Sequence, residues 1–124
     1  MERSGNLTFE AGGTIGAKCL VKLNSGKVVA AAAYNDNIIG INQYRVTSGQ
    51  IAAIRPLNTA GTAEVCVKAA IDVNDVVFYK EDAEGKANKT ATGNRQQIGI
   101  ALEAATADGD IIEVLLMPAV TTAT

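Results

Sequence analysis

Short stretches of alternating apolar and polar residues recur along the chain, separated by turn residues. In residues 18–23 the side chains of Cys19, Val21 and Leu23 share one face, as in a half-buried strand. Asn24-Ser25-Gly26 follows, with glycine where a hairpin loop needs a positive φ, and the chain returns over residues 27–33. Such turn signals recur roughly every eight to twelve residues, a spacing typical of small β-barrels and sandwiches.

The same pattern predicts seven further strands, so we expect an all-β fold: a small barrel or sandwich of short antiparallel strands. Pro56 and Pro118 should each end a strand, because proline supplies no N–H to a sheet. Residues 101–107 are the best candidate for a short helix; the alternative is that they continue the preceding strand. The further strands are predicted at residues 38–41, 51–54, 63–70, 76–80, 86–92, 98–102 and 111–117.

The chain also repeats itself. Residues 11–41 align without a gap on residues 70–100, and eight of the aligned pairs are identical. The recurring residues, a hairpin Gly-Lys and an Ile-Gly-Ile strand, depend on backbone geometry rather than on chemistry. We expect two similar half-domains that pack on each other, with partner contacts where the copies diverge. The identical pairs are Ala11/Ala70, Gly26/Gly85, Lys27/Lys86, Ala32/Ala91, Asn35/Asn94, Ile39/Ile98, Gly40/Gly99 and Ile41/Ile100.

The N-terminal segment differs from the rest because it is polar and shows no periodicity. Only Leu7 and Phe9 in it are strongly apolar, at the i, i+2 spacing of one face of an extended segment. This favours an arm that adds as a strand to a neighbouring chain, with Leu7 and Phe9 as anchors; a frayed terminus is the alternative. The predicted parts are a flexible N-terminal arm (1–13), a single β domain (14–118) made of two pseudo-repeats (11–41 and 70–100), and a C-terminal tail (119–124).

Composition argues against several classes of function. Eleven Lys and Arg against thirteen Asp and Glu give a net charge of −2, whereas nucleic-acid binding needs a surplus of basic side chains. No apolar stretch approaches the length of a membrane span, and no basic leader precedes one. We therefore expect neither nucleic acid nor a membrane as partner, and synthesis in a reducing cytoplasm.

Reactive chemistry is sparse. The chain has no histidine, which removes the usual base of catalytic triads and the commonest zinc ligand. Cys19 and Cys66 lie in apolar, strand-like runs, which favours two buried thiols; a disulfide is the alternative. The acidic turns at residues 81–85 and 108–110 lack the ligand spacing of calcium loops. We predict no enzyme activity, no catalytic residue, no cofactor and no metal ligand.

Lysine and arginine residues provide the remaining candidates. Lys27 and Lys86 each follow a hairpin glycine, which is also where biotin and lipoyl carrier domains display their attachment lysine. The flanking residues here differ from those of the carriers, so solubilising turn lysines are the simpler interpretation. Arginine is favoured at interfaces because its planar fork binds carboxylates in pairs of hydrogen bonds. The candidate partner-binding residues are Arg3, Leu7, Phe9, Arg45, Arg55 and Arg95.

The C-terminal part of the chain is similar to a known family. Gly85-Lys86 and a return strand lead to Thr90–Asn94 (TATGN), Ile98–Ala105 (IGIALEAA), Ala107–Asp110 (ADGD) and a strand ending in Val114-Leu115-Leu116. This order of motifs, together with an earlier turn at Ser48-Gly49-Gln50, resembles the tailed-phage capsid decoration (cement) proteins. The resemblance covers roughly Thr14 to Leu116.

The resemblance implies a β-rich structural protein of the virion, made in the host cytoplasm, that binds the outer surface of an assembled capsid and stabilises it. The implied partners are the major capsid protein and further copies of the chain, as a homotrimer that bridges capsid subunits. Another phage structural part, such as a head-fibre base or a tail protein, is the first alternative. A small β carrier or ligand-binding domain is the second.

Overall fold

The computed structural model describes residues 7–32, 36–57, 61–80, 84–89 and 95–121. Within these ranges the chain forms nine strands and no helix, so the predicted all-β fold is confirmed. The strands are β1 (Leu7–Glu10), β2 (Leu20–Asn24), β3 (Lys27–Ala30), β4 (Ile38–Asn42), β5 (Ile51–Pro56), β6 (Thr62–Cys66), β7 (Val76–Tyr79), β8 (Arg95–Ala101) and β9 (Ile111–Thr121).

The strands form two antiparallel sheets, one in each half of the chain. The first sheet has the order β1-β5-β4-β2-β3, and the second has the order β6-β9-β8-β7. Asn88 continues the second sheet beyond β7 by an antiparallel bridge to Phe78, at the place that β3 occupies in the first. The two halves therefore share one strand order.

Parallel bridges at equivalent positions relate the halves and correct the sequence alignment. Ala11 bridges to Val28 in the first half, and Val67 bridges to Ala87 in the second. Ala11 therefore corresponds to Val67 and not, as in the gapless alignment, to Ala70.

The strand registers show where the gapless alignment holds and where it fails. Leu20 pairs with Ile41 in the first sheet, and Val76 pairs with Ile100 in the second. Ile41 thus corresponds to Ile100, as predicted. Leu20, however, corresponds to Val76, whereas the gapless alignment matches it to Tyr79. The shift arises because the stretch of chain from Val76 to Ile100 is longer than the stretch from Leu20 to Ile41.

Gly40 and Gly99 lie at equivalent points where two strands approach each other closely. A Cβ atom at Gly40 would meet the backbone oxygen of Arg55, and one at Gly99 would meet that of Leu115. Glycine is therefore required by space at both positions, which agrees with the expectation that the Ile-Gly-Ile repeat depends on backbone geometry.

The two prolines behave differently from each other. Pro56 is the last residue of β5, as predicted, but β9 continues through Pro118 to Thr121. The pairing of β9 with β8 shifts register between Gln97 and Gly99, and Pro118 lies in this irregularity. A bulge tolerates proline because no ladder hydrogen bond needs its missing N–H, so the prediction that Pro118 ends the strand was wrong.

The residues considered for a helix, 101–107, form none. Ala101 is the last residue of β8, and Ala105 forms a bridge with Ile71 through two backbone hydrogen bonds of 2.8 and 3.0 Å. A helix of two turns has too few internal hydrogen bonds to offset the entropy of nucleation, so the bridge prevails.

Part of the predicted arm belongs to the body of the protein. Residues 7–10 form β1, which pairs antiparallel with β5, and Ala11 is completely buried. Residues 1–6 of the predicted arm lie outside the described residues, as do residues 122–124 of the predicted tail.

Two apolar clusters form the core. The first-half core contains residues of the first half together with Cys66. The second-half core is built mainly from the second sheet, but it also includes Leu20, Ile41 and Leu57 of the first half. Burial of side chains of this size contributes roughly 2 kcal/mol each, so the two halves are joined by shared apolar packing.

Candidate docking surface

Strand β9 alternates strictly between buried and exposed side chains over its first seven residues. Residues 112, 114 and 116 are buried, and residues 111, 113, 115 and 117 are exposed. Three of the exposed residues are large and apolar: Ile111 is 43% exposed, Leu115 is 38% exposed and Met117 is 49% exposed. In an antiparallel sheet with one face in water, the outward positions are normally polar, so this face needs an explanation.

Leu115 begins an apolar row that crosses three strands. It lies opposite Ile100 of β8, and Ile100 lies opposite Val76 of β7. Directly opposite residues of antiparallel strands point to the same face, and both Ile100 and Val76 are half-buried. We call Val76, Ile100, Ile111, Leu115 and Met117 the outer apolar face.

The central part of the equivalent face of the first sheet is covered by the chain itself, although Ile51, the equivalent of Ile111, is 66% exposed. Leu20 and Ile41 correspond to Val76 and Ile100 in the strand registers. Leu20 and Ile41 are completely buried and belong to the second-half core. The second half thus covers the first sheet at Leu20 and Ile41, whereas nothing among the described residues fully covers Val76 and Ile100 on the second sheet.

A group of carboxylates lies beside the outer apolar face. Glu64 of β6 is directly opposite Glu113 of β9, and like charges in such a pair are destabilising. The Nζ atom of Lys18 lies 3.7 Å from the Oε1 atom of Glu64, and its positive charge offsets part of the repulsion. Glu103 adds a third carboxylate, which accepts a hydrogen bond of 2.9 Å from the backbone N–H of Glu113. This edge suits a partner with basic side chains.

The partner-binding residues chosen from the sequence lie elsewhere. Leu7 and Phe9 do share one face, but they pack against the first-half core of their own chain. Arg55 lies half-buried on β5, and Arg45 is exposed in the loop after β4. Arg3 and the side chain of Arg95 lie outside the described residues.

Arg45 lines a cavity of about 340 Å³ between the two halves. Cys19 and Cys66 form part of its wall, and Glu84 and Lys86 add charged groups. The two cysteines of the chain thus lie side by side, which the sequence could not indicate.

Both hairpin lysines are held in ion pairs. The Nζ atom of Lys27 lies 3.0 Å from the Oε2 atom of Glu10. Lys86 donates a hydrogen bond of 2.9 Å to Asp108, and this bond raises the pKa of Lys86. Each ammonium group is therefore engaged by a carboxylate of its own chain, which favours the solubilising role over the carrier role.

Other kinds of site were sought among the same residues. Where the structure describes the chain, no three or more His, Cys, Asp and Glu side chains come together as a metal site. Nor does that part of the chain contain a helix that could cross a membrane.

Comparison with known proteins places the chain in a family. Curated proteins give no match, but the sequence profile of the phage cement proteins matches residues 3–116. Among solved structures, the head fibre gp8.5 N base of bacteriophage phi29 has a similar fold, with a TM-score of 0.70 and 18% identity over 90% of this chain and 92% of that chain. The resemblance predicted from the sequence is confirmed: this chain belongs to the phage cement protein family and is a structural protein of a phage virion.

Proposed function

We propose that this cement protein binds the outer surface of an assembled capsid through its outer apolar face and stabilises the shell. The observation that carries the proposal is that Val76, Ile100 and Met117 are half-buried or exposed on the second sheet, whereas their equivalents on the first sheet are buried. These equivalents are Leu20, Ile41 and Leu57. Membership of the cement family supports a capsid as the partner.

The outer apolar face is a rigid contact surface. Val76, Ile100 and Leu115 lie on three neighbouring strands held by ladder hydrogen bonds, so covering them costs little backbone entropy. Complete burial of one such side chain contributes roughly 2 kcal/mol. A few of these contacts, repeated over a lattice of identical sites, stabilise a shell without a deep pocket.

The carboxylates provide specificity. In the free protein Glu64 and Glu113 repel each other across the strand pair. An arginine or lysine of the major capsid protein placed between them would relieve this repulsion. The proposed partner surface is therefore apolar with basic side chains at its edge, and binding should weaken as salt is added.

We further propose that the protein acts as a homotrimer that bridges neighbouring capsid subunits. Linked copies present several outer apolar faces at once, so that avidity exceeds the affinity of one contact. The resemblance to decoration proteins supports this arrangement. Sedimentation equilibrium of the free protein and the copy number on saturated capsids test it; a monomer that binds in no fixed ratio would contradict it.

Co-sedimentation with mature empty capsids tests the docking surface. We expect saturable pelleting of the wild-type protein at a fixed ratio to capsid subunits. Leu115→Lys should weaken binding at least about tenfold, because it places a charge in the apolar row. Glu113→Gln should weaken binding by a smaller factor and reduce its dependence on salt.

Leu23→Lys is the matched control. Leu23 is 46% exposed, close to the exposure of Leu115, but it lies on the first sheet. Equal loss of binding in both variants would show that the contact is not confined to the second sheet. If the wild-type protein failed to pellet above a capsid-free control, decoration would be contradicted and a head-fibre or tail role favoured.

A further inference from the structure

Two buried thiols meet where the halves of the chain join. Cys19 is 3% exposed and precedes β2, and Cys66 is 6% exposed and ends β6. The N–H of Cys66 donates a hydrogen bond of 2.8 Å to the carbonyl oxygen of Lys18, which belongs to the peptide that joins Lys18 to Cys19. The two backbones are thus as close as neighbouring strands of a sheet, about 5 Å apart, which a disulfide can span.

The thiol groups also contact each other, and neither forms a disulfide in this structure. A hydrogen bond between their side chains, together with burial, raises the pKa of Cys19. The Cys19 thiol is therefore protonated near neutral pH, and its oxidation should be slow rather than spontaneous within seconds.

A small reagent can reach the pair. Both cysteines line the cavity between the halves, which is about 340 Å³ in volume. Glu84 lines the same cavity with a side chain that is 74% exposed, so the cavity opens to solvent. The charge of Lys86 in the cavity wall lowers the pKa of Cys19, whereas the charge of Glu84 raises it, and the pKa as a whole stays above its ordinary value.

We propose that Cys19 and Cys66 form a disulfide that cross-links the two halves when the protein passes from a reducing to an oxidising environment. The oxidant is a small-molecule disulfide. One cysteine, as its thiolate, attacks a sulfur of this compound; a mixed disulfide forms and one small thiolate leaves and takes up a proton. The second cysteine then attacks the mixed disulfide at the protein sulfur and releases the second small thiol. The two protein thiols lose two electrons and two protons, and the small disulfide becomes two thiols.

The cross-link closes the loop from residue 19 to residue 66, which holds most of the first half and β6. A closed loop of this length restricts the unfolded chain and so stabilises the folded state. This inference does not depend on the docking surface, because it concerns the free protein.

Oxidation of the purified, folded wild-type protein tests the proposal. The reduced protein is incubated with glutathione disulfide, and its free thiols, intact mass and melting temperature are measured. We expect both thiols to disappear together with the loss of two hydrogen atoms, no covalent dimer, and a melting temperature raised by roughly 10 °C. The rate should increase with pH as the thiolate becomes more populated, and dithiothreitol should reverse every change.

Cys19→Ala and Cys66→Ala are the controls. Each variant keeps one thiol, so its melting temperature should not rise with oxidant. Three results would overturn the proposal: wild-type thiols that react only in denaturant, a stable glutathione adduct in place of the internal bond, or a disulfide between chains. Each is measured on the wild-type protein, so a variant that folds poorly does not affect the outcome of the test.

Discussion

The two halves of the chain have the same strand order and pairing, but they bury the equivalent face of the sheet to different extents. Leu57 in the first half is equivalent to Met117 in the second, because each follows the residue that pairs with the strand glycine. Leu57 is 7% exposed, however, and Met117 is 49% exposed. Ile41 is completely buried, and its equivalent Ile100 is only half-buried. The difference lies in what covers the face, because the backbone pairing is the same.

This difference teaches how to interpret apolar residues on a sheet. The second half retains aliphatic side chains at positions that nothing else in the described chain fully covers. Exposed apolar area is unfavourable by about 25 cal/mol per Å². Single exposed apolar side chains are common and need no explanation, whereas a connected row of them suggests a binding site. The covered face of the first sheet serves as an internal example of how the second can be covered.

The largest predicted difference is between alanine variants of Ile41 and Ile100. Ile41→Ala leaves a cavity in the second-half core, so the free energy of unfolding should fall by about 3 kcal/mol. Ile100→Ala removes a half-buried side chain and should lower it by about 1 kcal/mol. Urea unfolding of the free protein measures both values.

Capsid binding should show the opposite order. Ile100→Ala removes part of the outer apolar face and should weaken binding, whereas folded Ile41→Ala should bind like the wild type. Equal losses of stability would mean that the face is covered in both halves and would break the comparison.

A smaller effect tests what the halves have in common. Gly40→Ala and Gly99→Ala should each lower the free energy of unfolding by about 2 kcal/mol, because the new methyl group pushes neighbouring strands apart. Gly49→Ala and Gly109→Ala are the controls: these glycines have φ of 89° and 94° and open space at Cβ, so we expect about 1 kcal/mol from backbone strain alone. Thermal unfolding measures all four. If one of the two strand glycines tolerated alanine without loss of stability, the strands of that half would not approach as closely as those of the other, and the halves would not be equivalent there.

Local features of the fold were predictable from the sequence. The hairpin at Gly26 and the close approach at Gly40 and Gly99 depend on residues next to each other in the chain or repeated in it. The match of Leu20 to Val76 was missed because seven of the eight identical pairs lie at or after the first hairpin glycine, and these fit a single gapless alignment. Only the pairing of β7 with β8 shows which residues of the second half correspond to those before the first hairpin glycine.

The candidate site was less accessible from the sequence. Residues 111–117 were recognised as a strand, but this segment carries apolar side chains on both faces, so periodicity could not assign an outward side. The expectation that contacts lie where the copies 11–41 and 70–100 diverge stays a prediction, because Leu115 of the outer apolar face and its equivalent Arg55 lie outside both copies. Which face stays uncovered depends on how the halves pack, and no local pattern records it.

The smallest predicted effect concerns the turns that precede β5 and β9. The side-chain oxygen of Gln50 accepts a hydrogen bond of 2.8 Å from the N–H of Thr47. In the second half, Asp110 accepts hydrogen bonds from the N–H groups of Thr106 at 2.8 Å and Ala107 at 3.2 Å. The bonds to Thr106 and Ala107 lower the pKa of Asp110, whereas an amide such as Gln50 does not titrate.

This turn should make the second half sensitive to acid. Because the pKa of Asp110 is lower in the folded state, its contribution is fully present above about pH 4, the ordinary value for an aspartate, and is lost as the pH falls through the lowered pKa. Asp110→Asn should therefore reduce the fall of the melting temperature between about pH 5 and about pH 2, and Gln50→Glu should increase it by giving the first half a carboxylate at the matching turn. Melting curves across that range compare each variant with the wild type. If Asp110→Asn left the acid dependence unchanged, the exposed turn carboxylate would contribute nothing measurable, and the two turns would be equivalent in energy as well as in shape.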